Sequence, residues 1–256
     1  MRLEAVIFDM DGVVTRTTPL HLRAWTRLFD EYLDARRARG EAHEPFDPRK
    51  DYLNWVDGKP RYDGIQSFLE SRDIDIPFGR REDADDVETI CGLGNRKDQY
   101  FEEILNAEGV KLFESTIERI TELRNLGVRI ALGTSSRHGG RILRMTGIDN
   151  QFDVIADGNT IRERSLKGKP SPDLFLEAAR ELGVSPARTA VVEDAVSGVQ
   201  AGVRGDFGRV IGIDRGGNRE ALERSGADLV VEDLAELSAE ELIAPRPRPM
   251  HGGESQ

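Results

Sequence analysis

Short apolar runs alternate along the chain with longer stretches in which apolar positions recur every three or four residues. LEAVIFDM (3–10), VRIALGTS (128–135), FDVIADG (152–158), TAVVEDA (189–195), RVIGID (209–214) and ADLVVED (227–233) have the length and β-branched content of buried strands, and Asp, Ser, Thr or Gly stands near their ends. Between them, STIERITELRNLG (115–127) and SPDLFLEAARELG (171–183) carry the helical period and close on Gly; the second opens with a Ser-Pro-Asp start signal. Such alternation predicts an α/β chain with a parallel sheet covered on both faces. Ligands of these sheets lie beyond the carboxyl ends of the strands, so the polar residues that end them are expected to converge on one site.

From about residue 19 to 110 the pattern changes to high charge and few strand-like runs. Helical periods occupy PLHLRAWTRLFDEYLDARRA (19–38), GIQSFLESRD (64–73) and NRKDQYFEEILNAEG (95–109), while 38–50 and 76–86 read as loops by their Pro, Gly and charge content. This predicts a helical insertion between the first and second strands, with Trp25 in its core. The last stretch, PRPRPMHGGESQ (245–256), has too little apolar content to fold and is expected to be a disordered tail.

Composition narrows the function classes. With 256 residues, 38% hydrophobic and 32% charged, the chain suits a soluble protein with a substantial core. No run of 18 apolar residues and no basic-then-apolar leader is present, so neither a membrane partner nor secretion is expected. The single Cys91 cannot form an internal disulfide and reads as a small buried hydrophobe, which fits a cytoplasmic location. A formal net charge of −11 argues against nucleic acid. A small anionic substrate remains compatible, since a local group of Lys, Arg and Mg²⁺ overrides the global field. With no conspicuous exposed apolar stripe, a monomer is expected.

Candidate chemistry sits at the strand ends. Asp9-Met10-Asp11-Gly12 could be a polar turn or a calcium loop, but the latter needs oxygen ligands where Val13 and Leu20 stand. A catalytic reading also holds: one carboxylate attacks phosphorus and carries Mg²⁺, and a second, two residues on, moves the proton of the leaving or attacking hydroxyl. That chemistry needs a phosphate cradle, a neutralising cation and further metal oxygens. Thr134 in LGTSS, Lys169 in KGKPSPD, and Glu193 with Asp194 in VVEDAVSG supply them, each following a strand.

FDMDGVV, LGTSS, GKPSPD and VVEDAVSGVQAG together resemble the four motifs of the haloacid dehalogenase superfamily of phosphotransferases, over roughly residues 3–235. The resemblance implies a Rossmann-like core, residues 1–17 and 111–244, with a helical cap over 18–110. It implies Asp9 as nucleophile, Asp11 as general acid/base, and Thr134, Ser135 and Lys169 as phosphate contacts. Mg²⁺ would be held by Asp9, Asp11 through its carbonyl, and Asp194, with Glu193 supporting. An aspartate at position 11 argues against carbon–halogen cleavage.

Within the superfamily, TRTTPLHLRAW, DGKPRYDGI, GNRKD and TSSRHGG resemble segments of the β-phosphoglucomutase subgroup. This implies that His21 orients Asp11, that Arg61 and Lys97 face a distal phosphate, and that Ser136 and Arg137 complete that site. His138 starts a helix nearby and is assigned no catalytic part. The implied reaction converts β-D-glucose 1-phosphate to glucose 6-phosphate through phospho-Asp9 and glucose 1,6-bisphosphate. A sugar-phosphate phosphatase and a non-catalytic sugar-phosphate-binding protein are the alternatives. Arg16, Arg137, His138 and Ala195 depart from the subgroup's usual residues, and 33–57 is longer than in its compact members.

Overall fold

The computed structural model describes residues 2–246; most of the expected tail, 247–256, lies outside the described residues. All six expected strands form: β1 (Ala5–Phe8), β2 (Arg129–Gly133), β3 (Val154–Ala156), β4 (Thr189–Glu193), β5 (Arg209–Ile213) and β6 (Leu229–Val231). They make one parallel sheet in the order β3-β2-β1-β4-β5-β6. β1 lies centrally, with Ala5 opposite both Arg129 and Thr189. Its four residues are all buried, as a strand covered on both faces must be.

Alternate residues of β1 serve opposite layers, because side chains along a strand point to opposite faces. Ala5 and Ile7 pack with Phe175 and Ala178 of α7 (Asp173–Leu182) and Val199 of α8 (Val196–Arg204). Val6 and Phe8 belong to the cluster holding Ile120 and Leu123 of α4 (Glu114–Asn125) and Ile142 of α5 (Gly139–Thr146). Short α6 (Gly158–Glu163), α9 (Arg219–Arg224) and α10 (Ala239–Leu242) complete the layers. Among the described residues no helix is long and apolar enough to cross a membrane.

The helical insertion contains α1 (Thr18–Ala38), a π-helical turn at Tyr52–Val56, α2 (Arg61–Glu70) and α3 (Ile90–Glu108). α3 begins five residues before the expected start. The Gly-rich ICGLG looks like a poor helix, yet the Thr89 hydroxyl accepts a hydrogen bond from the Gly92 amide and caps it. The insertion's core is aromatic: Phe29 stacks 5.4 Å from Trp25 and lies 4.0 Å from Phe68 and 5.1 Å from Phe46 between ring centroids.

Two paired linkers join the insertion to the sheet. The Phe113 amide donates to the Val14 carbonyl, and the Arg16 amide to that of Lys111. The guanidinium of Arg16 lies over the Phe113 ring at 4.4 Å, and that of Arg215 at 3.7 Å. The unusual Arg16 thus lies at the linker, stacked on Phe113.

Phe29→Ala should cost about 3–5 kcal/mol, the usual penalty for emptying a tightly packed aromatic site. Urea unfolding followed by tryptophan fluorescence would measure it; a loss below about 1 kcal/mol would mean that the aromatic cluster does not hold the insertion together.

Candidate active site

β1 delivers Asp9 to the carboxyl edge of the sheet, where its amide donates to the Val192 carbonyl of the neighbouring strand. Lys169 arrives from the loop before α7 and is buried. Its Nζ donates to Asp9 Oδ1 at 2.6 Å, Glu193 Oε1 at 2.6 Å and the Gly133 carbonyl at 3.0 Å. All three ammonium protons are therefore used. Burial opposes the Lys169 charge, but the two carboxylates outweigh it and raise the ammonium's pKa above the usual value. Burial pushes Asp9 well above the usual carboxylate range, although Lys169 draws it down.

Glu193 is completely buried, and its second oxygen accepts from the Ala195 amide at 2.9 Å. Asp194 follows at the end of β4, its carbonyl held by Asn218 Nδ2 at 3.1 Å. Burial, then Asp57 and Glu193, raise its carboxyl well above the usual range. One oxygen from each of Asp9, Glu193 and Asp194 lies within 4.8 Å of the others. Gly12 stands beside them at φ 83°, and a Cβ there would fall on the Asp194 carboxylate. Only glycine accommodates both the turn and the approach. An all-oxygen, acidic donor set fits a hard divalent cation such as Mg²⁺.

Asp11 has different partners. The Thr17 hydroxyl donates to its Oδ1, and His21 Nε2 lies 3.4 Å from the same atom. Burial alone would raise Asp11, but His21, Thr17 and Lys97 outweigh it and hold it below the usual range. His21 is clamped from both sides: its ring stacks on Phe101 at 3.9 Å, and Lys97 Nζ sits 2.7 Å from Nδ1. Because the lysine donates to Nδ1, the imidazole proton is left on Nε2, facing Asp11. Desolvation lowers Lys97 to about 7, and burial with the Lys97 charge lowers His21.

The insertion sits over the strand ends and encloses a cavity of about 600 Å³. Thr134, Ser135 and Lys169 line it together with Arg61, Lys97 and Arg137; of these Lys169 touches Asp9, and Lys97 touches His21 beside Asp11. Thr134 Oγ1 accepts from the Ser136 amide, and Ser136 Oγ from that of His138, so both hydroxyls shape the start of α5. Ser135 Oγ donates to the Gly58 carbonyl at 2.9 Å, and Ser197 Oγ to that of Asp57 at 3.1 Å, tying the insertion to two core loops. Arg61 is ion-paired with Asp98, which also takes His138 Nε2 at 2.9 Å. His138, given no catalytic part from sequence, is thus a bridge between α3 and α5.

All the residues singled out from sequence gather at this cavity or its walls, apart from Glu193, which lies behind Asp9 and Lys169. Sequence reasoning missed Tyr52, Asp57, Asp98 and Thr17. Asp98 adjoins Lys97 in GNRKD, so that motif could have drawn attention to it; Tyr52 and Asp57 have no local signal beyond an Asp-Gly turn.

Known proteins resemble this chain over most of its length. A β-phosphoglucomutase from Mycobacterium bovis is 45% identical over 240 residues, 92% of each chain. One from Bacillus subtilis is 31% identical over 239 residues, 93% of each. A crystal structure of CbbY from Rhodobacter sphaeroides in complex with xylulose-(1,5)-bisphosphate has a TM-score of 0.70 at 26% identity, covering 94% of this chain and 100% of that one. Residues 3–206 match the family model described as haloacid dehalogenase-like hydrolase, and the chain belongs to that family.

Proposed function

We propose that this enzyme is a Mg²⁺-dependent β-phosphoglucomutase, interconverting β-D-glucose 1-phosphate and glucose 6-phosphate through phospho-Asp9 and glucose 1,6-bisphosphate. One observation supports the reading: one cavity between the insertion and the strand ends is lined by Asp9 and Lys169 and also by the cations Arg61, Lys97 and Arg137. A bisphosphate intermediate needs two anion sites, and must present either phosphate to the same carboxylate.

In this mechanism Asp9 attacks phosphorus and an Asp9–phosphoryl bond forms as the bond to the departing oxygen breaks. Lys169 neutralises charge on the phosphoryl oxygens, and Thr134 and Ser135 border them. Asp11, held below the usual carboxylate range, starts ionised at neutral pH. Starting from phospho-Asp9, it takes the proton of the sugar hydroxyl that attacks the phosphoryl group; once protonated, it gives that proton to the departing sugar oxygen when Asp9 takes up the other phosphoryl group. Thr17 and His21 orient it. Asp9, the Asp11 carbonyl and Asp194, with Glu193 in support, would hold Mg²⁺, which would supply positive charge to the phosphoryl group.

Arg61, Lys97, Ser136 and Arg137 hold the distal phosphate while the insertion, acting as a cap over 18–110, excludes water. Preferring a sugar hydroxyl over water a thousandfold takes roughly 4 kcal/mol of barrier difference. Two charge-assisted contacts of about 1.5–3 kcal/mol each supply it. If water wins instead, the same residues make a sugar-phosphate phosphatase, the reading that the hydrolase family description favours. We further read the enzyme as a cytoplasmic monomer acting on a small phosphorylated sugar, without nucleic-acid or membrane partners. The acidic balance and lone cysteine support this.

Incubation with Mg²⁺, β-D-glucose 1-phosphate and a trace of glucose 1,6-bisphosphate should yield glucose 6-phosphate with little free phosphate; free phosphate as the main product would make the enzyme a phosphatase. Asp9→Asn should abolish both products, with folding checked by circular dichroism, and turnover surviving it would remove the aspartyl-phosphate step. Arg61→Ala should lower mutase kcat/KM about 10- to 100-fold more than hydrolysis of p-nitrophenyl phosphate, which has no distal phosphate. Lys97 is protonated below about pH 7 and loses its charge above it. The value of kcat/KM should therefore fall as pH rises through 7, and Lys97→Arg should remove that fall; an unchanged profile in the variant would show that another group titrates.

A further inference from the structure

The insertion brings a carboxyl group of its own to the cavity. Asp57 follows the π-helical turn Tyr52–Val56, and its amide closes that turn on the Tyr52 carbonyl at 2.9 Å. Tyr52 and Asp57 thus bracket the turn at its two ends. Both line the cavity alongside Asp9, Asp11 and Asp194.

What holds Asp57 in place is its backbone. Ser197 Oγ donates to its carbonyl, and Ser135 Oγ to the carbonyl of Gly58. Gly58 has φ 70°, and a Cβ there would run into the Ser197 hydroxyl and Ala195, so the loop is pressed against the segment that follows Asp194. Another small polar side chain would dock through the same backbone bonds, and docking alone does not explain a carboxylate.

The surrounding charges do. Docking adds Asp57 to Asp9, Asp11, Glu193 and Asp194, while the core's cation, Lys169, has spent its protons on Asp9, Glu193 and Gly133. The second buried ammonium, Lys97, is bonded to His21 on the Asp11 side. Desolvation, with Glu193 and Asp11 nearby, raises Asp57 to about 7, and Asp57 in turn pushes Asp194 up. Gathering a fifth carboxyl into one buried site is unfavourable unless a cation compensates it.

We propose that Asp57 is a positioning residue for the divalent cation, brought beside the Asp9–Asp194 site only when the insertion is docked, so that cation binding and docking strengthen each other. The inference rests on the reading that the acidic cluster holds Mg²⁺. Thermodynamic linkage makes the effect reciprocal: whatever factor docking adds to cation affinity, the cation adds to docking.

Mn²⁺ binding to the whole protein, followed by electron paramagnetic resonance, tests the first half. Asp57→Asn, which keeps the Ser197 contact, should weaken binding at least fivefold. Hydrogen exchange of amides 57–60 tests the second: Mg²⁺ should slow it strongly in the unmodified protein and much less in the variant. In cation-free buffer Asp57→Asn should melt higher than the parent, because a like charge has gone, and Mg²⁺ should raise its Tm less. Asp57→Ser provides the same comparison if Asn impairs folding. Equal Mn²⁺ affinity, or equal protection by Mg²⁺, in parent and variant would overturn the proposal while leaving the cation site intact. A parent protein that binds no Mn²⁺ would overturn both the proposal and the Mg²⁺ reading.

Discussion

Lys169 is the charge around which the site is organised. Its ammonium is buried between Asp9 and Glu193, and its last proton goes to the Gly133 carbonyl. These partners come from β1, β4 and β2, so one side chain gathers three adjacent strands at their carboxyl ends. Desolvating an ammonium and two carboxylates is costly, and it is offset because all three ammonium protons and both Glu193 oxygens have partners. The arrangement leaves Asp9 one free oxygen, Oδ2, turned away from Lys169. A carboxylate with one oxygen anchored and one unengaged has the form required to accept a phosphoryl group.

A second chain of interactions runs from the insertion to Asp11. Lys97, His21 and Asp11 follow one another at 2.7 and 3.4 Å, and Phe101 fixes the imidazole plane. Lys97 and Phe101 belong to α3, His21 to α1, and Asp11 to the loop after β1. The position of the insertion therefore bears directly on the electrostatics of Asp11. Asp98, bound by Arg61 and His138, adds a contact from α3 to α5. Under the proposed function, the contacts that close the cavity also set the protonation of the group that moves the proton.

The parallel sheet and the residues at its edge were legible in the sequence because their information is local. Each run of buried, β-branched residues carries its polar terminus with it, and right-handed parallel crossovers bring those termini to one edge. Asp9, Thr134 and Asp194 could thus be placed together before any distance was known; Lys169, expected to follow a strand, instead follows α6, so only its motif pointed to the site. The insertion was legible only as helices. Even there the start of α3 was hidden, because the Thr89 cap outweighs the low helix propensity of Gly92 and Gly94.

The sequence by itself determined the strands, their catalytic-looking ends and the chain's kinship with phosphotransferases. Tertiary structure alone decided how the insertion meets the sheet. Gly58 meets Ser135 across 77 positions, and Asp57 meets Ser197 across 140. The bridge of His138 to Asp98 spans 40. The Arg16–Phe113–Arg215 stack likewise joins segments with no common period. Periodicity and caps describe neighbours along one element, whereas these pairings depend on the angle and depth at which two separately formed layers dock. That geometry is set by packing over the whole interface, and no short stretch of the chain records it.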